Sequence, residues 1–91
     1  MKVEICGKEI VFPVEGNIDE KEQYEHLIKV LSGHKNVTVG DTTEGPWCEY
    51  RNCSINGNPF QLVYDTDDDE TYITSAHENV LEKLKAILLN A

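Results

Sequence analysis

Two short runs of alternating apolar residues flank Gly7-Lys8: Val3 and Ile5 before it, and Ile10, Phe12 and Val14 after it. Alternation with a period of two places each set on one face of a strand. Glycine at the first central position of a two-residue loop suits a type II′ turn, whose twist matches that of the strands it joins. That turn pairs Cys6 with Glu9, Ile5 with Ile10 and Val3 with Phe12. The apolar members of the last two pairs then share a face, so pattern and turn chemistry agree. Pro13 limits the second strand, as proline does at a sheet edge.

A helix follows. Asn17 is placed to cap it, with Glu20 as the capping-box partner. Tyr24, Leu27, Ile28 and Leu31 fall at helical spacing and make one apolar stripe. Asp19, Glu20 and Glu22 occupy the first turns and Lys29 lies nearer the other end, as the helix dipole favours. Gly33 is expected to end the helix in the left-handed conformation. Near the C-terminus, Ser75 and Glu78 form a second capping box ahead of Val80, Leu81, Leu84, Ile87 and Leu88.

Between the helices the pattern is that of strands. Val37-Thr38-Val39 is short and β-branched, and a turn at Glu44-Gly45-Pro46 leads into a strand from Trp47 to Ile55. Asn56-Gly57 is a strong hairpin signal, although Pro59 suggests a slightly longer loop. An even loop puts Phe60, Leu62 and Tyr64 on the face of Ile55, Cys53 and Arg51, with Tyr50 and Val63 on the other. After a turn over 65–70, Thr71 to Thr74 forms the last strand. The order is ββαββββα. It implies a two-layer α+β domain: a mainly antiparallel sheet with two amphipathic helices on one face. At 91 residues, with 40% hydrophobic and 27% charged composition, residues 1–91 are expected to form a single globular domain.

The formal charge of −9 and a pI near 4.6 argue against nucleic acid as a partner, because phosphate binding needs a basic surface. No apolar run approaches the ~18–20 residues of a membrane span, and the first residues lack the apolar stretch of a secretion signal. An odd count of three cysteines, Cys6, Cys48 and Cys53, suits a reducing compartment. The expected location is therefore the cytoplasm. Cys48 and Cys53 point to opposite faces of one strand and cannot share a metal, and buried inert thiols are the better reading. No CxxC or HxxxH spacing occurs, and no cofactor is expected.

The run Asp65-Thr66-Asp67-Asp68-Asp69-Glu70 places five carboxylates in six residues. Asp65, Asp67 and Asp69 mimic alternate ligands of an EF-hand loop. Glu70 stands where that loop needs glycine and Ala76 where it needs a bidentate glutamate. The run therefore reads as a solvated acidic turn or a docking patch for a cationic partner, and the uneven spread of the acids tilts it toward docking. Glu15, Asp19, Glu20, Glu22 and Glu25 form a second acidic zone, and two such zones steer encounters with a basic protein. Trp47 and Tyr64 are expected in the core. Tyr50 shares its predicted face with Asn52, Ser54 and Gln61, so it is a candidate interface anchor. The expected partner-binding residues are thus Asp65, Asp67, Asp68, Asp69, Glu70, Glu20, Glu22 and Tyr50.

No nucleophile elbow, phosphate loop or zinc-protease motif is present, and His26, His34 and His77 fall at helix edges. A non-enzymatic protein-binding domain is expected, as a monomer or homodimer. In size and charge it is of the type found among bacterial immunity proteins and antitoxins that neutralise basic toxins or nucleases, a likeness without residue correspondence. A self-associating structural or regulatory subunit is the alternative, ahead of a small metal protein or enzyme.

Overall fold

The computed structural model describes residues 2–12 and 19–90. Its strands are β1 (Glu4–Cys6), β2 (Glu9–Val11), β3 (Val37–Glu44), β4 (Cys48–Ile55), β5 (Asn58–Asp65) and β6 (Glu70–Thr74). Its helices are α1 (Glu20–Ser32) and α2 (Glu78–Leu89). All strand pairs are antiparallel, in the order β1-β2-β6-β5-β4-β3. The α+β architecture and the element order match the sequence pattern.

The first hairpin has the expected register, with Cys6 opposite Glu9 and Ile5 opposite Ile10. Gly7, at φ +60°, supplies the left-handed conformation that its turn requires. The strand β2 is not an edge, however, because it lies between β1 and β6. Pro13, Val14, Glu15 and Asn17 lie outside the described residues.

The β4–β5 loop is the tight one. Asn56 and Gly57 have φ of 50° and 83°, as a type I′ turn demands, and Ile55 sits opposite Asn58. Pro59 does not lengthen it. In an antiparallel ladder the pair flanking such a turn is hydrogen-bonded and the next is not, so the proline nitrogen of the Ser54–Pro59 pair faces outward. The outward neighbour, β6, has already ended at Thr74 opposite Gln61.

One core forms between the helices and a single sheet face. Tyr24, Leu27 and Leu31 of α1 and Val80, Leu81, Leu84 and Leu88 of α2 cover Ile10, Phe60, Leu62, Ile73, Cys53 and Ile55. Val37 and Val39 pair with Ile55 and Cys53, which sets the register of β3. That strand runs well beyond Val39, to Glu44, across a bulge between Val39 and Thr42. Gly40 makes the bulge possible, since a Cβ there would collide with the Asn52 carbonyl. The Arg51 guanidinium donates to the Gly40 carbonyl at 2.9 Å.

The caps differ from the sequence pattern. Asp19, not Asn17, caps α1, accepting from the N–H groups of Lys21 at 2.8 Å and Glu22 at 3.3 Å. Both residue types cap well, and the helix starts at the later one. Gly33 stays right-handed at φ −77° and continues the helical bonding to the Lys29 carbonyl. His77 precedes α2 without a side-chain cap. Ser75 instead donates to the Pro59 carbonyl and accepts from His77 N–H, which ties the entry of α2 to β5. No described helix is long and apolar enough to cross a membrane.

Candidate protein-binding surface

The first turns of α1 lie across one lateral row of the sheet, Glu49 on β4, Tyr64 on β5 and Thr71 on β6. Lys21 bonds both carboxylate oxygens of Glu49 at 2.8 Å, which raises the lysine's pKa. Its ammonium also stands 5.6 Å from the centre of the Tyr24 ring and 5.2 Å from that of Tyr64, within cation–π range. Burial pushes the Tyr24 phenol up, and the neighbouring Arg51 guanidinium opposes that shift. At the third position of the row, the Glu20 carboxylate accepts the backbone N–H of Thr71. This occurs where β2 has ended and no longer supplies an acceptor to β6.

The acidic run is ordered by its own backbone. Asp65 accepts from the N–H groups of Asp67 at 2.9 Å and Asp68 at 3.0 Å, an Asx turn. Asp69 adopts φ 52°, which aspartate tolerates better than most residues, and receives the Tyr64 hydroxyl at 2.8 Å. That bond pushes the Tyr64 pKa up to about 12. Thr66 N–H donates to the Trp47 carbonyl at 2.9 Å, joining this turn to the β3–β4 turn. Trp47 itself is 68% exposed, which overturns the expectation that it is core. Tyr64 packs against the core from its edge.

Beside this turn lies a cleft of about 730 Å³. Glu20, Asp65, Asp69 and Glu70 line it together with Glu4 and Glu9, and Val11, Phe12 and Tyr72 contribute apolar surface to the same lining. Burial raises the pKa of Tyr72, and the carboxylates of Glu9, Asp65 and Glu70 raise it further. The six carboxylates among the described lining residues, set beside apolar side chains, favour a ligand that brings both positive charge and apolar surface.

The sheet face away from the helices adjoins the cleft. Its central lateral row runs Tyr50, Val63, Tyr72 and Val11 across β4, β5, β6 and β2. A parallel row runs Cys48, Asp65 and Glu70. Arg51 is the only basic residue within the six strands, and it shares the helix-covered face with Leu62.

Four of the expected binding residues, Asp65, Asp69, Glu70 and Glu20, therefore meet in one cleft. Asp67 and Asp68 are exposed at its rim turn, Tyr50 lies two strands from Tyr72 on the open face, and Glu22 is exposed on α1 outside the cleft lining. Sequence reasoning missed Glu4, Glu9 and Tyr72. The signal for the first two was their parity in the hairpin, opposite to the core residues Val3 and Ile10, but their neighbour was unknown.

The cysteines are free thiols. Cys53 is buried, its thiol pKa raised by that burial, whereas Cys48 is half-buried and Cys6 exposed, so inert burial holds for Cys53 alone. Among the described residues no group of three histidine, cysteine or carboxylate side chains is placed to hold a metal. Comparison with known proteins gives no matching family model, no similar curated protein and no similar solved structure.

Proposed function

We propose that the chain is a non-enzymatic protein-binding domain of the inhibitor, immunity or antitoxin type, acting in the cytoplasm on a basic toxin or nuclease. The observation that carries this reading is the cleft, where carboxylates from β1, β2, β6, the acidic turn and α1 converge, with no lysine or arginine among the described residues that line it. Held on rigid elements, such a field speeds encounter with a basic surface and rejects acidic ones. Self-association through a strand edge has less support. The edge strand β1 has three residues, and the edge strand β3 is bulged and carries Asp41 and Glu44, devices that discourage edge pairing.

The test is capture from the native lysate at low salt, elution at high salt and identification of the eluate. The expected result is a protein of pI above about 9 whose toxic or nuclease activity the chain blocks at equal stoichiometry. Recovery of no basic protein, with a concentration-dependent dimer in light scattering, would overturn the proposal.

A further inference from the structure

We infer that the helix-free sheet face docks a basic amphipathic segment of the partner. Apolar side chains of that segment would sit on the Tyr50–Val63–Tyr72–Val11 row, and its Lys or Arg side chains would meet Glu9, Asp65 and Glu70. This rests on the proposed binding of a basic protein and names the surface and the segment.

Val63 makes the row more than scattered apolar exposure. It is 6% exposed, yet it stands outside the core cluster on the face that neither helix covers. Its lateral neighbours are Tyr50 and Tyr72, and Val11 follows Tyr72. Two half-buried aromatics around a shielded aliphatic residue have the anatomy of a binding hot spot, with tyrosine the favoured anchor.

Charge decides the occupant. Within its strands the face carries Glu4, Glu9, Asp65 and Glu70 and no cation. A second copy laid face to face would bring these carboxylates against their own kind, in a chain already at −9. A purely cationic segment would satisfy the acids and leave the row in water. Only a segment with both characters matches both features.

Two peptides of equal charge separate the possibilities: one with a leucine stripe at helical spacing among lysines, and an oligolysine. The leucine–lysine peptide should bind at least about tenfold more tightly and shift the amide resonances of Tyr50, Val63, Tyr72 and Val11. Tyr72→Ser and Tyr50→Ser should each weaken it about tenfold while leaving oligolysine nearly unchanged. Equal binding of both peptides, insensitive to these substitutions, would remove the row from the interface and leave the basic-partner reading standing. If neither peptide binds, both readings fall. A wild-type dimer abolished by Tyr72→Ser would assign the face to a second copy and overturn the inference. Should either variant fail to fold, the wild-type resonance map decides, since peptide-induced shifts confined to residues off the row would overturn it.

Discussion

Glu20 and Thr71, 51 positions apart, are joined twice. The Thr71 hydroxyl donates to the Glu20 carbonyl at 2.7 Å, and the Thr71 backbone N–H donates to the Glu20 carboxylate at 3.2 Å. The first residue of α1 thereby extends the ladder of β6 past the end of β2. The same bond orients one cleft carboxylate, so a folding contact and a candidate binding group are a single side chain.

Removing that carboxylate strands a backbone donor beside the buried Thr71. Glu20→Ala should cost about 1–2 kcal/mol, and Glu20→Gln, which keeps an acceptor, clearly less. Thr71→Val, which deletes the hydroxyl at near-constant volume, should cost about 1 kcal/mol. Urea denaturation measures all three. Equal losses for Ala and Gln at position 20 would show that charge, not hydrogen bonding, is what matters there.

Leu27 is fully buried at the centre of the α1 stripe. Leu27→Ala should cost about 2–4 kcal/mol, the transfer and cavity terms of a core leucine. A domain this small has a total stability near the lower end of the usual range, about 5 kcal/mol, so the variant should melt far below the wild type. A loss under about 0.5 kcal/mol would mean that the core closes over the gap without penalty.

Tyr64 links stability to alkaline pH. Its hydroxyl bond to Asp69 pushes its pKa from 10.0 to about 12, so the folded chain holds a proton that the unfolded chain releases. The stabilisation is whole below about pH 10 and fades as pH rises through about 12. Solvent near the ring keeps its size small. Asp69→Asn keeps the left-handed turn and an acceptor but removes the charge. The Tyr64 ring resonance should then titrate at lower pH, and an unchanged midpoint would discount the carboxylate.

Local chemistry made much of the fold legible. Around Gly7 the turn type and the period-two pattern constrain the same register, so that hairpin could be read from a few residues. At Asn56-Gly57 the turn and the shared faces were legible, but Pro59 pointed to a longer loop than the two residues that form it. The helix stripes are equally local, although the starts were not, because Asn17 and Asp19 offer the same capping chemistry two residues apart. Sheet order was not legible. Nothing within Glu9–Val11 or Glu70–Thr74 specifies that these strands pair, yet that pairing brings Glu4 and Glu9 to Asp65 and Glu70 and so builds the cleft. Trp47 misled for a related reason: aromatic bulk predicts burial, but a tight turn beside Gly45-Pro46 holds the residue out in solvent.

Gly40 carries a sharper constraint than its composition suggests. Gly40→Ala would drive a methyl into the Asn52 carbonyl and displace the bulge that Arg51 braces. A loss of about 1–3 kcal/mol is expected, the usual cost of overpacking. Thermal melting with exchange measurements on the β3 amides would localise it, and a variant as stable as wild type would show that the bulge yields freely.

The acidic turn is organised without help from Asp67 and Asp68, whose backbone N–H groups, not their carboxylates, bond Asp65. Asp69 is the exception, through its bond to Tyr64 and its left-handed φ, and asparagine can serve both needs. Replacing Asp67, Asp68 and Asp69 together with asparagine should therefore leave the domain folded, with stability equal or slightly improved as repulsion is relieved. Association with a basic partner should slow, and its dependence on salt should flatten, because these exposed charges act over the ~8–10 Å that physiological salt allows. Stopped-flow association at several ionic strengths measures both. Unchanged kinetics in the folded triple variant would take the turn out of the encounter surface and leave Glu4, Glu9 and Glu70 as the groups that draw the partner in.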